Sequence, residues 1–279
     1  MTVIAHLSDL HFGRERPDLA AALVETVNRL APDLVAISGD FTQRARGRQF
    51  RAARAFLDRL RAPWIATPGN HDVPLDRPAT RLFAPYAAYR RHIARDLAPR
   101  WRGGGVVVVA LNTVNPLDWQ RGRLGRGRLA RLRAAFAAEE GEALRVVMAH
   151  HPIVHARGER KALLRGAAAA RSAFGAAGVD LALSGHLHSW RAQTAEAGGR
   201  AVVMVQAGTG VSTRLRDGEN DFNLLRLTPG AIRVERYAAG VDETAFRPAG
   251  ASRFVRAPGG WRADPGTHAL GSGAPLEPV

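Results

Sequence analysis

The stretch "WIATPGNHD", from Trp64 to Asp72, sets a short apolar run directly before a cluster of polar side chains. The apolar part is typical of a buried strand, and Gly69 lets the chain bend after it. Asn70, His71 and Asp72 then place an amide, an imidazole and a carboxylate side by side. An ordinary turn does not need this combination, which suggests one part of a site that other segments complete.

Four other strand-like runs end in the same way. The polar residues that follow them are Asp9 and His11, Asp40, His150 and His151, and His186 and His188. Asp-x-His and Gly-Asp are each common after strands, whereas two histidines two residues apart, as at His186 and His188, rarely serve packing. Five such motifs, all at strand ends, are hard to explain as turns. The carboxyl ends of strands in an open α/β sheet share one edge, so we expect the five segments to converge on one crevice.

The order of the elements indicates the fold class. Strand-like runs alternate with amphipathic helical stretches up to about residue 190, and two hairpins follow around Gly198-Gly199 and Pro229-Gly230. This pattern predicts an α/β domain with a second, mostly antiparallel sheet. We expect that domain to span residues 1–242. Pro, Gly and Ala accumulate over residues 243–279, where we expect a poorly ordered tail.

Composition limits the chemistry. The 279 residues are 46% hydrophobic, which is enough for a sizeable core, and contain no cysteine. Disulfides and thiolate chemistry are therefore excluded, and a metal would need His, Asp, Glu or Asn ligands. The first twelve residues carry no basic leader, and no run of 18 apolar residues occurs. We therefore expect a cytoplasmic protein without a transmembrane segment.

The formal net charge of +15 has two explanations. Only Lys161 among the 40 basic residues is a lysine, and alanine is abundant, as a GC-rich genome would encode. The alternative is a real attraction for anionic substrates. The arginines are scattered and do not form a stripe interleaved with aromatic residues, so we expect no stable nucleic-acid complex.

The residue types suggest a pair of metal ions. Carboxylate, imidazole and amide oxygen form a ligand set suited to Mn, Fe, Zn or Co. Two such ions, about 3.5–4 Å apart, share a bridging carboxylate and clamp the oxygens of an in-line displacement at phosphorus. Asp40 lies in the middle of the motif series and is the natural bridge.

The motifs Asp-x-His, Gly-Asp, Gly-Asn-His-Asp, His-x-Pro and Gly-His-x-His, in this order, resemble the calcineurin-like metallophosphoesterases over residues 3 to 235. "SDLHFG", "SGDFTQRA" and "PGNHDVP" are most similar to the bacterial class III cyclic-nucleotide phosphodiesterase branch. The resemblance implies a four-layer α/β/β/α sandwich of two mixed sheets flanked by helices. It implies one metal on Asp9, His11, Asp40 and His188, and a second on Asp40, Asn70, His150 and His186.

The same resemblance implies roles for the remaining residues. His71 would be the general acid, Asp72 would orient it by hydrogen bonding, and His151 would lie beside the ligands. A metal-bridging hydroxide would hydrolyse a small phosphodiester, with a cyclic nucleotide such as cAMP as the leading substrate. Glycerophosphodiesters, phosphomonoesters and UDP-diacylglucosamine-like diphosphates remain alternatives, as do a non-catalytic scaffold and a nucleic-acid binder. The sequence leaves a homodimer open.

Overall fold

The computed structural model describes residues 1–139, 141, 143–156, 159, 161–216, 218–265 and 276–277. Six α-helices lie within this part of the chain. They are α1 (Pro17–Leu30), α2 (Gly47–Leu57), α3 (Pro78–Phe83), α4 (Ala87–His92), α5 (Arg126–Ala137) and α6 (Ala167–Ala176). A short 3₁₀ turn covers Asn70–Asp72. No helix of the described part is long and apolar enough to cross a membrane.

The same residues form fifteen strands. They are β1 (Thr2–Leu7), β2 (Leu34–Ile37), β3 (Trp64–Ala66), β4 (Arg100–Gly103), β5 (Val106–Leu111), β6 (Leu144–Ala149), β7 (His155–Ala156), β8 (Leu181–Ser184), β9 (Arg191–Ala197), β10 (Arg200–Gln206), β11 (Glu219–Thr228), β12 (Ala231–Gly240), β13 (Arg247–Ala257), β14 (Gly260–Ala263) and β15 (Leu276–Glu277). The two predicted hairpins correspond to β9–β10 and β11–β12.

The strands pair in the order β3-β2-β1-β11-β12-β13-β14-β10-β8-β6-β5-β4, with β9 added to β10. Strands β1, β2 and β3 are parallel to one another, and so are β5, β6, β8 and β10. Antiparallel strands β11, β12 and β13 lie between these two sets. The mixed α/β architecture is therefore confirmed. The two expected sheets are, however, joined along one edge, through the pairing of β14 with both β13 and β10.

Strands β1 and β5 show how the layers stack. Val107 and Val109 of β5 pack in one core with the apolar side of α5, while Val106 and Val108 share a different core with Ile4 of β1. The alternate residues of β1, such as Leu7, pack instead with residues of α1 and α2. Three apolar layers thus separate four layers in the order helices, sheet, sheet, helices, since successive strand residues point to opposite faces.

The expected tail over residues 243–279 was wrong for its first part. Arg247–Ala257 and Gly260–Ala263 form strands within the sheet, and Phe254 and Trp261 are buried in the core between the two sheets. The domain therefore extends past residue 242. Two large apolar side chains, Phe254 and Trp261, are enough to anchor these strands in the core despite the glycine- and proline-rich composition. Residues 266–275 and 278–279 lie outside the described part.

The topology explains why the five motifs meet. Strands β1, β2 and β3 end in the first three motifs, and β6 and β8 end in the other two. Both parallel sets direct their carboxyl ends to the same side of the sandwich, as the hydrogen bonds from His150 Nδ1 to Ser38 O and from His186 N to Asp9 Oδ2 indicate.

Candidate metal centre

One group of side chains gathers Asp9, His11, Asp40 and His188. Each offers a ligand atom, and these four atoms lie within 4.8 Å of one another. Asp9 Oδ1 lies 3.1 Å from Nε2 of His188 and 3.6 Å from Nε2 of His11. The two Nε2 atoms are 3.2 Å apart. Because His188 Nδ1 donates to a backbone carbonyl at 3.0 Å, its Nε2 carries the lone pair in the neutral ring.

A second group gathers Asn70, His150 and His186. His150 Nε2 and His186 Nδ1 each lie 3.1 Å from Asn70 Oδ1. His150 Nδ1 donates to the Ser38 carbonyl at 2.8 Å, so its Nε2 presents a lone pair to the centre of the group. Two imidazoles and an amide oxygen therefore face one small space.

Asp40 lies between the two groups. Its Oδ2 is 3.7 Å from His11 Nε2 and 3.4 Å from His150 Nε2, and its Oδ1 accepts from the His71 backbone N–H at 2.8 Å. Oδ2 of Asp40 and Oδ1 of Asp9 are buried without a hydrogen-bond partner. An unsatisfied buried carboxylate oxygen is costly, and a cation would remove that cost. The donor set and the two unpartnered oxygens therefore fit a pair of metal ions.

The electrostatics of the two groups agree with this fit. Burial would raise the pKa of Asp40, but the charge of His150 holds that pKa well below its usual range. Burial lowers the pKa of His186 well below its usual value, and the charge of His151 lowers it further. Metal ligands must be ionised carboxylates and neutral imidazoles, and the pKa shifts of Asp40 and His186 favour those forms. Burial would lower the pKa of His150, but the charge of Asp40 raises it to about 9, so His150 would release a proton when an ion binds.

The backbone is also unusual at these positions. In the described part of the chain, seven residues other than glycine have a positive φ, and five of them are Asp9, His11, Asp40, His186 and His188, with φ between 47° and 71°. Side chains other than glycine, asparagine and aspartate rarely adopt this left-handed region. Such strain clusters at functional sites, where the surrounding structure holds it in place.

Gly69 is needed for close packing against Asp40 and not, as its sequence position suggests, for a bend in the chain. Its φ is −101°, which any residue can adopt, so a bend does not require glycine here. A Cβ on Gly69 would instead overlap Asp40, with Asp40 Cγ only 2.7 Å away. The glycine allows the turn that carries Asn70 to approach Asp40 closely.

The expected pairing of Asp72 with His71 was wrong. Asp72 accepts hydrogen bonds from the backbone N–H groups of Gly69 at 2.9 Å and Thr42 at 2.9 Å, and from the Thr42 hydroxyl at 3.0 Å. His71 Nδ1 lies 2.9 Å from the Gln43 carbonyl. Successive side chains of a 3₁₀ turn point about 120° apart, so neighbours in the sequence diverge. Asp72 ties the turn to the loop after β2, and Gln43 orients His71.

His151 lies beside the second group, and one of its ring nitrogens is within 4.8 Å of ligand atoms of His150 and His186. The His151 ring centroid is 4.4 Å from that of His186. Its Nδ1 lies 2.8 Å from the Thr113 hydroxyl and its Nε2 lies 3.0 Å from the Gln120 carbonyl. Both ring nitrogens are thus engaged by other protein groups, which agrees with a supporting role.

Comparison with known proteins identifies the family. A family model described as calcineurin-like phosphoesterase matches residues 2–190, more than half of the chain. The chain belongs to the calcineurin-like phosphoesterase family. The family expected from the five motifs is therefore confirmed.

Individual proteins are similar to this chain in sequence or in fold. Glycerophosphodiester phosphodiesterase GpdQ of Enterobacter lignolyticus (strain SCF1) is 35% identical over 81 residues, which cover 25% of this chain and 29% of GpdQ. The structure of purple acid phosphatase PPD1 from yellow lupin (Lupinus luteus) matches with a TM-score of 0.66 at 14% identity, over 91% of this chain and 54% of PPD1. GAP50 of Plasmodium matches with a TM-score of 0.57 at 12% identity, over 88% of both chains. These two structures establish the likeness in fold.

A cavity of about 430 Å³ opens over the two groups. Besides the candidate ligands Asp40, Asn70, His186 and His188, its lining includes His71, Trp119 and four cationic side chains. These four are Arg14, Arg44, Lys161 and Arg214. The His71 ring and the Arg44 and Arg81 guanidinium groups lie 4.9, 5.6 and 5.9 Å from the Trp119 ring centroid. The cavity of this phosphoesterase-family chain is therefore suited to an anion.

Two residues of this cavity were missed in the sequence. Lys161 donates to the His186 carbonyl at 2.7 Å. The available signal was that Lys161 is the single lysine of an arginine-rich chain. Arg214 belongs to no recognised motif, yet its Nη1 lies 3.0 Å from His71 Nε2.

Proposed function

We propose that this chain is a metal-dependent phosphodiesterase that uses two metal ions sharing Asp40. The observation that carries the proposal is Asp40 Oδ2, which is buried, has no hydrogen-bond partner and lies between the Nε2 atoms of His11 and His150. Asp9, His11, Asp40 and His188 would hold one ion. Asp40, Asn70, His150 and His186 would hold the other.

The ligand set suits Mn, Fe, Zn or Co. When bound, such a pair supplies Lewis-acid charge and lowers the pKa of water to the neutral range. The chain's own residues prepare the site: the Ser38 and Arg214 carbonyls accept from the Nδ1 atoms of His150 and His188, which fixes both tautomers. The cationic lining of the cavity attracts the phosphate.

The substrate class we favour is a phosphodiester. The motif resemblance supports a cyclic nucleotide such as cAMP, and the match to a glycerophosphodiester phosphodiesterase supports a glycerophosphodiester. Both carry one phosphate with two non-bridging oxygens, which the cavity over the two groups has the charge to bind. Diphosphates and monoesters are the less favoured substrates.

The test begins with protein stripped by a chelator and reloaded with Mn²⁺. Metal analysis should give close to two ions per chain, and the loaded protein should hydrolyse bis(p-nitrophenyl) phosphate faster than p-nitrophenyl phosphate. The panel includes cAMP and glycerophosphocholine. Asp40→Ala should lose activity together with metal. Asp58→Ala is the matched control, since Asp58 is an exposed residue paired with Arg54 at the end of α2.

A protein that binds two ions and hydrolyses no phosphate ester would refute the proposed activity and favour a non-catalytic scaffold. An active protein free of metal would refute the role of the ions. Faster turnover of monoesters than of every diester would keep the two-metal site but overturn the substrate class.

A further inference from the structure

Arg214 contacts a candidate metal ligand, His188, and also His71. Its backbone carbonyl accepts from His188 Nδ1 at 3.0 Å and from the Thr209 hydroxyl at 3.1 Å. Its guanidinium Nη1 lies 3.0 Å from His71 Nε2 and 3.4 Å from Gln43 Oε1. One residue therefore orients a candidate ligand through its backbone and reaches His71 through its side chain.

The direction of the hydrogen bonds follows from the groups themselves. The Gln43 carbonyl can only accept, so His71 Nδ1 is the donor in that bond. The other nitrogen of the neutral ring then carries a lone pair. Arginine has no acceptor, so Arg214 donates to His71 Nε2. In this arrangement His71 has no hydrogen on Nε2 to give to a substrate, in contrast to the general-acid role expected from the sequence.

The segment that carries Arg214 is firmly held. Asn220 Nδ2 donates to the Ser212 carbonyl at 2.9 Å and to the Thr209 carbonyl at 3.1 Å, and Asn220 is fully buried. The Arg214 backbone N–H donates to the Ser212 hydroxyl at 3.1 Å. These hydrogen bonds therefore hold the backbone of Arg214 in place beside the cavity, and only its side chain is flexible.

We propose that Arg214 is the residue that binds the non-bridging oxygens of the scissile phosphate, and that His71 and Gln43 are positioning residues for its guanidinium. This inference rests on the proposed phosphodiesterase function. The planar guanidinium presents a fork of donors that matches two phosphate oxygens, and it keeps its charge throughout the neutral range. The charge on those oxygens grows or redistributes during phosphoryl transfer, so a fixed cation beside them lowers the barrier.

The two roles of His71 differ in one measurable respect. A general acid matters most when the leaving group is a poor one, because an anionic oxygen of high basicity needs a proton as it departs. A residue that positions Arg214 on the non-bridging oxygens affects all leaving groups alike. A series of methyl aryl phosphodiesters whose phenols differ in pKa therefore separates the two roles.

The experiment compares the Mn²⁺-loaded wild type with Arg214→Ala, Arg214→Lys, His71→Ala and the double variant His71→Ala/Arg214→Ala. Arg214→Ala should lower kcat/KM about 10²- to 10³-fold, by the same factor for every phenol. His71→Ala should lose activity with the same flat dependence. The double variant should be no worse than Arg214→Ala, because both changes remove one shared interaction. Arg214→Lys should recover part of the activity, since it keeps the charge without the fork.

Arg233→Ala is the matched control. Arg233 lies on β12, is half exposed and pairs with Glu235, away from the cavity lining. This variant removes the same charge from the chain and should keep wild-type kinetics. Metal content should be unchanged in all variants, because Arg214 holds His188 through its backbone carbonyl, which the substitutions retain.

Binding gives a second readout that does not depend on turnover. Calorimetric titration of the loaded proteins with inorganic phosphate should show an affinity about 10- to 100-fold weaker for Arg214→Ala, the value of a charged hydrogen bond. Unchanged phosphate affinity, or an Arg214→Ala variant as active as Arg233→Ala, would overturn the inference. So would a loss in His71→Ala that increases with the pKa of the phenol. If the wild type hydrolyses no diester, the proposed function fails, while the titration still tests Arg214 as a phosphate-binding residue.

Discussion

Gly69→Ala should disable the metal centre although it adds a single methyl group. The new Cβ would lie 2.7 Å from Asp40 Cγ and would overlap the Asp40 backbone nitrogen. Carbon atoms pack at about 3.5–4.0 Å, so Asp40 would have to withdraw by roughly 1 Å. The Asp40 carboxylate is buried, and its backbone carbonyl accepts from His11 N–H at 2.9 Å. A shift of Asp40 therefore disturbs both ligand groups together.

The expected magnitude follows from the tolerance of such sites. Metal–ligand distances hold within about 0.2 Å, and a misplacement of about 1 Å at a catalytic site costs on the order of 100-fold in rate. We therefore expect Gly69→Ala to bind fewer than two Mn²⁺ ions per chain and to lose at least about 100-fold in hydrolysis of bis(p-nitrophenyl) phosphate. Metal analysis after gel filtration and steady-state kinetics with saturating Mn²⁺ provide the two measurements.

Gly127→Ala is the matched control for that substitution. Gly127 lies in the first turn of α5, and a Cβ there would meet nothing within 4 Å. Alanine in a helix is more favourable than glycine by about 0.5–1 kcal/mol, so this variant should keep two metals and full activity and melt slightly higher. A Gly69→Ala protein with two bound ions and wild-type turnover would refute the reasoning, because the close approach to Asp40 would then have no consequence.

Three further predictions concern individual side chains. Asp40→Ala should lower Mn²⁺ binding at both sites, whereas His188→Ala should weaken one site and leave the other. Titration calorimetry should therefore give close to zero Mn²⁺ ions per chain for Asp40→Ala and close to one for His188→Ala. His151→Ala should retain two ions by metal analysis, because its ring nitrogens are bonded to Thr113 and Gln120; loss of an ion would make it a ligand. Burial lowers the pKa of His6 from 6.5 to about 3 in the folded chain. As pH falls, His6 is therefore protonated in the unfolded chain before it is protonated in the folded chain. The free energy of unfolding is unaffected by His6 above pH 6.5 and decreases as pH falls from 6.5 towards 3. Urea unfolding of metal-free protein should show a weaker loss over this window in His6→Gln, and an identical pH dependence would contradict the assignment.

The sequence was informative wherever function depends on side chains at strand ends. The candidate metal ligands could be grouped because parallel strands place their carboxyl ends together, and the structure brings these side chains within reach of one another. The residues that support them were not visible in this way. Gln43 orients His71 through a backbone carbonyl, which every residue type possesses, so no pattern in the sequence identifies it.

Composition was the least reliable guide. The Ala- and Gly-rich stretch after residue 242 suggested a tail, yet β13 and β14 complete the sheet there, because Phe254 and Trp261 supply the buried side chains. The abundance of arginine likewise concealed Arg214, since one arginine among 39 carries little information. Its importance depends on its distance of 3.0 Å from His71, a relation between residues 143 positions apart.

The strained backbone of the candidate ligands depends on contacts between loops. His11 N–H donates to the Asp40 carbonyl at 2.9 Å, and His186 N–H donates to Asp9 Oδ2 at 2.9 Å. The loops that carry His11 and His186 are therefore each tied to another ligand loop. A left-handed residue other than glycine costs on the order of 1–3 kcal/mol, and it persists only where its surroundings determine it. The geometry of the centre is thus a property of the loops acting together.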